Sequence, residues 1–145
     1  MTDLSAANSD VMLKPKQSKA LLWTGRVVSA LPALMLLMGG VMNLVKPQVV
    51  VDSTIEMGYR ESVIIPLGVV TTLSVILYIV PPTAVLGAIL LTGYLGGAVA
   101  THVIHGDGWV KMLFPVVFGI FIWLGLVLRD PRIRSVLPIR SSMTV

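Results

Sequence analysis

His102 and His105 are the only two histidines in this chain of 145 residues. Their i, i+3 spacing puts both imidazoles on one face of any helix that carries them. Asp107 follows closely, and Asp52, Glu56, Glu61 and Lys111 group with it on one side of the membrane reading given below. Three chemistries compete for this set. A metal site would use both histidines with a carboxylate, but tetrahedral zinc takes about four ligands, so the set is incomplete by itself. A haem held by two histidines needs them on opposite faces of its ring, which residues three apart on one helix cannot supply. Haem would therefore require a second chain. A quinone or lipid head group needs only a hydrogen-bonding histidine beside an apolar cleft. Against all three stands the plain reading, a polar cap on a helix end at the interface.

The remaining groups with chemical potential are few. The chain has no cysteine, which excludes a thiolate nucleophile, disulfide exchange and cysteine-ligated iron–sulfur or zinc sites. No Asp or Glu falls within the long apolar runs. An ionisable group in the membrane is the usual mark of a transport or proton pathway, so an autonomous pump is disfavoured. Arg26 lies about two turns into the first run. It either snorkels to the interface or anchors an anionic head group or a partner subunit. Asn43, near the far end of the same run, is a candidate for a hydrogen bond across helices through its side-chain amide.

These groups sit in an apolar chain. Hydrophobic residues make up 55%, charged residues 12%, and the mean hydropathy is +0.89. Ordinary soluble domains carry about 25% charged residues. A single domain of this length cannot bury so much apolar surface in a water-soluble core, so lipid must cover the rest. A crossing takes roughly 20 mainly apolar residues, and four runs qualify: about 20–44, 62–80, 83–104 and 110–128. Backbone polar groups in hydrocarbon must be paired internally, which favours helices over strands. The expected fold is an all-α four-helix transmembrane bundle over 19–130. A flexible cytoplasmic tail precedes it at 1–18 and a basic cytoplasmic tail follows at 131–145. The first run is too long to be the apolar core of a cleaved signal peptide.

Lys14, Lys16, Lys19, Arg129, Arg132, Arg134 and Arg140 flank the outer ends of the first and last runs, against Lys46, Arg60 and Lys111 in the loops on the other side. Excess Lys and Arg marks the cytoplasmic face, so both termini are expected in the cytoplasm of a bacterial inner membrane. The net charge of +4 then reflects topology and anionic lipid, with no nucleic-acid motif present. Trp23, Tyr59, Tyr78 and Trp109 fall near expected interfaces, and Trp123 lies deeper as a packing residue.

Packing is expected to centre on the third run. Gly93 with Gly97, and Gly96 with Ala100, form small-xxx-small pairs that let backbones approach, within the chain or across a homodimer seam. Met38-Gly39-Gly40-Val41-Met42 repeats part of Leu95-Gly96-Gly97-Ala98-Val99 and suggests a two-plus-two repeat. Pro32 should kink the first run and free the carbonyl of Val28, with Ser29 near enough to help. In the first loop, Ser53-Thr54-Ile55-Glu56 has the form of a capping box, which predicts a short interfacial helix around 53–57 ending at Gly58.

The stretch from Tyr78-Ile79-Val80-Pro81 through Leu91-Thr92-Gly93-Tyr94-Leu95-Gly96-Gly97 to His102-Val103 resembles the DoxX-like family. Trp123-Leu124-Gly125-Leu126-Val127-Leu128-Arg129-Asp130-Pro131-Arg132, Met57-Gly58-Tyr59 and the Gly39-Gly40 region do so as well. The resemblance spans roughly 20–138. It implies a compact four-helix membrane bundle and, through relatives, a small membrane subunit of a quinone-linked redox complex. It also implies a glutamate early in the second run, after a glycine. Here Gly68 is followed by Val69, Val70, Thr71 and Thr72, and only a hydroxyl such as that of Thr71 is available.

Together these readings point to an inner-membrane binder of a quinone or lipid-like ligand, with Asn43, Glu56, His102 and His105 as candidate contacts. A redox partner subunit or a second copy is the expected protein partner. The rivals are a membrane enzyme using a histidine as general base and a membrane-protein assembly or cargo factor.

Overall fold

Proline or glycine stands at each break between the described helices that cross, at Pro47, Pro81-Pro82 and Gly106. The computed structural model describes residues 19–130 and Ile133, apart from the side chain of Leu21. The tail 1–18 and Arg132, Arg134 and Arg140 lie outside the described residues. Helix α1 runs Lys19–Val45, α2 Gln48–Glu56, α3 Ile64–Ile79, α4 Ala84–His105 and α5 Trp109–Arg129. Single 3-10 turns, Glu61–Val63 and Pro81–Thr83, lead into α3 and α4. Pro47 precedes α2, and Pro81-Pro82 separates α3 from α4, because proline cannot continue the preceding helix. Gly106 ends α4 at φ +74, where a side chain would be strained.

Four stretches are long and apolar enough to cross a membrane: Leu22–Val45, Glu61–Ile79, Pro81–His105 and Trp109–Arg129. The helices form a square. α1 packs on α3 and α5, α4 packs on the same two, and α1 and α4 face each other across the diagonal. Val75, Tyr78, Ala88, Leu91, Ile122 and Leu126 fill the centre with no exposed surface. The outside is as apolar as the inside, with Leu31 63%, Leu73 55% and Ile104 85% exposed. Only a hydrocarbon solvent accommodates that surface, so this is a multi-pass membrane protein.

Close approach occurs at glycines other than those expected. A Cβ on Gly87 would lie 2.2 Å from the Tyr78 amide nitrogen, and one on Gly125 would lie 2.2 Å from Ser29 Oγ. On Gly68 it would meet Asn43, and on Gly40 it would meet Thr72. Gly93, Gly96 and Gly97 have nothing within 4 Å. The small-residue stripe of α4 therefore faces outward and forms no seam with another described helix. Of the two similar stretches, Gly40 makes a helix contact while Gly96 and Gly97 make none, so they are not packed alike.

Two local expectations also change. The capping box does not form. α2 starts earlier, directly after Pro47, which leaves Ser53-Thr54-Ile55-Glu56 inside the helix. There Ser53 Oγ and Thr54 Oγ1 donate to the Val50 carbonyl instead, at 3.1 and 2.6 Å. Tyr78 is not an interfacial ring. It is fully buried, with its hydroxyl 2.8 Å from the Ile122 carbonyl and 3.0 Å from Ser29 Oγ. The carbonyl can only accept, so the phenol donates there and Ser29 supplies the proton of the second bond. Tyr78 thus ties α3 to α1 through Ser29 and to α5 through Ile122, and among the described residues Ser29 makes no bond to the carbonyl freed by Pro32.

Candidate functional site

The end of α4 builds the polar cluster. With Gly106 in the left-handed conformation, the Asp107 amide donates back to the His102 carbonyl at 3.0 Å. That closure satisfies a carbonyl at the helix end. It also folds the Asp107 side chain onto the face that carries both histidines.

Asp107 is the hub, its side chain only 10% exposed. Its Oδ2 lies 2.7 Å from His102 Nδ1. Its Oδ1 accepts from Lys111 Nζ at 2.9 Å and lies 3.6 Å from His105 Nδ1. The hydrogen bond from His102, then that from Lys111, lowers its pKa from 3.8 to about 2. Asp107 is therefore ionised at neutral pH and can only accept. This assigns the proton between the two groups to His102 Nδ1. In the neutral imidazole, Nε2 is then left as an acceptor.

His105 does a different job. Its Nε2 lies 3.2 Å from the Glu56 carbonyl, which ties the end of α4 to the end of α2. Tyr59 adds a second tie through its hydroxyl to Thr101 Oγ1, and Thr101 in turn donates to the Gly97 carbonyl at 2.9 Å. The loop after α2 thereby becomes a wall above α4.

His102 sits on the rim of two grooves flanking α4. One, of about 390 Å³, is lined by Met57, Tyr59, Leu67, Gly93, Gly97 and His102 among others. The other, of about 240 Å³, is lined by Leu36, Tyr94, Phe114 and Phe118 together with His102. The bare Gly93 and Gly97 make a flat floor in the larger of these. A third groove of about 640 Å³ runs between α4 and α5 past Gly96, Gly119 and Trp123. It is larger than either groove beside His102, but apart from Thr92 Oγ1, which accepts from Trp123 Nε1 at 2.9 Å, it holds little polar surface. The polar chemistry converges at His102 and not there.

Of the expected contacts, His102 and His105 come together, and Glu56 joins them through its backbone carbonyl, with its carboxylate exposed. Asn43 packs on α3 beside Gly68. It lies on the helix diagonal to α4, and no hydrogen bond links it to His102 among the described residues. Thr71 cannot replace the missing glutamate, because it is buried and donates to the Leu67 carbonyl at 2.8 Å. Thr72 Oγ1 next to it is buried without a partner among the described residues. Arg26 belongs to the opposite end of the bundle. Asp107 and Lys111 were legible as neighbours. The bond between Asp107 and His102 was not, because it depends on the turn at Gly106.

The model of the DoxX-like family matches residues 27–125, more than half of the chain. The chain belongs to the DoxX-like family. No curated protein and no solved structure gives a significant match. In this DoxX-like chain the matched stretch takes in all of α2, α3 and α4, most of α1 and α5, and the whole His102–Asp107 cluster. It ends just short of Arg129.

Proposed function

We propose that this DoxX-like chain is a non-catalytic membrane subunit that holds a quinone-like amphiphile in the groove beside His102. The carrying observation is a histidine oriented by a carboxylate at the mouth of an apolar groove. A ring with an oxygen at its edge would lie over Gly93 and Gly97. Neutral His102 would accept a hydrogen bond from a quinol hydroxyl at Nε2, and protonated His102 would donate one to a quinone carbonyl. Leu67 and Val70 would flank the ring, and an apolar tail would extend toward lipid. The dyad would serve equally as a general base, so a membrane enzyme is the second reading.

The Lys and Arg distribution supports an inner-membrane orientation with the termini in the cytoplasm and the His102 end outside. The quinone-linked role of relatives supports a redox subunit as partner. Retention of quinone by detergent-purified protein tests the binding. The wild type should keep a stoichiometric fraction through washing, and His102→Ala should lose most of it. Equal retention in both would refute the site, and chemical conversion of the ligand by the isolated chain would favour the enzyme.

A further inference from the structure

Two guanidinium groups share one groove at the end of the bundle opposite His102. Arg129, at the end of α5, is held in place. Its Nη2 donates to the Tyr78 carbonyl at 2.5 Å, and its Cζ lies 4.5 Å from the centre of the Tyr78 ring. Tyr78 is itself fixed by Ser29 and Ile122. Arg129 therefore does not swing freely to water as a snorkelling side chain does. Arg26 reaches the same groove from α1, with its Cζ 5.7 Å from the Trp23 ring.

The rest of the groove is apolar. It has a volume of about 360 Å³ and runs from the two arginines past Ala30, Ala33, Leu34 and Leu37. The alanines hollow it out, and it follows α1 toward the bilayer centre. Both arginines also line the neighbouring groove of about 380 Å³, where Asp130 joins them, so two positive charges and one negative stand at this end. A cationic mouth above a hydrocarbon trough matches an anion with an apolar tail. Guanidinium groups prefer phosphate because their planar forks pair with its oxygens.

We infer that this groove is a site for an anionic phospholipid, its phosphate bound between Arg26 and Arg129 and one acyl chain lying along Ala30, Ala33 and Leu34. The fixed Arg129 supplies a preorganised half, and Arg26 closes from the lipid side. The site stands apart from the His102 groove and holds whether or not a quinone binds there.

Native mass spectrometry of the full chain from nanodiscs of equimolar phosphatidylglycerol and phosphatidylcholine tests it. The wild type should retain phosphatidylglycerol about tenfold over phosphatidylcholine, because the choline cation of the latter is repelled by the two guanidinium groups that pair with the phosphate. Arg26→Gln should remove most of that preference. Arg129→Gln also breaks the bond to Tyr78 and risks the fold, so Ala30→Leu is the second probe. Ala30 is exposed, and the larger side chain fills the trough with both charges intact, so phosphatidylglycerol retention should again fall. Equal retention of the two lipids, no change in Arg26→Gln, or displacement by millimolar inorganic phosphate would overturn the proposal.

Discussion

Asp107 holds the Nδ1–H of His102 at 2.7 Å while Lys111 occupies its other oxygen. This relationship fixes which nitrogen of His102 faces the groove, and it generates the first prediction. In Asp107→Asn, the single oxygen stays with Lys111 and the amide presents its N–H to His102. Nδ1 must then accept and Nε2 must carry the proton. Quinol retention should fall about fivefold, the loss of one hydrogen bond of about 1 kcal/mol, while quinone retention holds. Equal loss of both forms would contradict the assigned tautomer.

Asp107 also sets a pH window. Its folded pKa, about 2, lies below the ordinary 3.8. A depressed carboxylate stabilises the fold fully above its unfolded value, and the contribution disappears as pH falls through the folded value. The cluster should therefore persist to about pH 4 and open only toward pH 2. Carboxyl carbon NMR in micelles should give a midpoint near 2, moving toward 3.8 in His102→Ala. A wild-type midpoint at 3.8 would show that the bonds do not form.

The glycines give a contrast of sign. Gly125→Ala and Gly87→Ala drive a Cβ into a neighbouring helix and should destabilise by about 1–3 kcal/mol. Gly97→Ala meets nothing and should be neutral or stabilising by up to about 1 kcal/mol, from helix propensity alone. Thermal unfolding in detergent reads both. Destabilisation by Gly97→Ala would restore the outward stripe as a packing seam.

Tyr78→Phe keeps the ring under Arg129 but removes the hydroxyl between Ile122 and Ser29. The cost should be about 1–3 kcal/mol for the buried groups left without a partner. The same thermal assay measures it, and an unchanged midpoint would mean that the knot contributes nothing.

Much of this architecture is legible in the sequence. Run length and Pro81-Pro82 mark the spans because lipid imposes a helix of one length and proline breaks it. His102 and His105 were readable as a pair because helical spacing alone puts them on one face. What could not be read was rotation about each helix axis. Apolar residues cover both the inward and the lipid-facing sides, so no amphipathic stripe says whether Gly97 or Gly87 turns inward. The same ambiguity hid Tyr78, whose rank as core or interface depends on that rotation. It also hid the separation of Asn43 from His102, which follows from α1 and α4 lying on a diagonal. The capping box failed for a local reason, since Pro47 starts α2 more than a turn before Ser53.

Photoaffinity labelling of the full chain in membranes with an azidoquinone tests the binding site most directly. The account predicts label on the segment around Met57–Tyr59 and on α4 near Gly93–Gly97, abolished by His102→Ala. Label confined to the groove between α4 and α5 at Gly119 and Trp123, or label unaffected by His102→Ala, would contradict it.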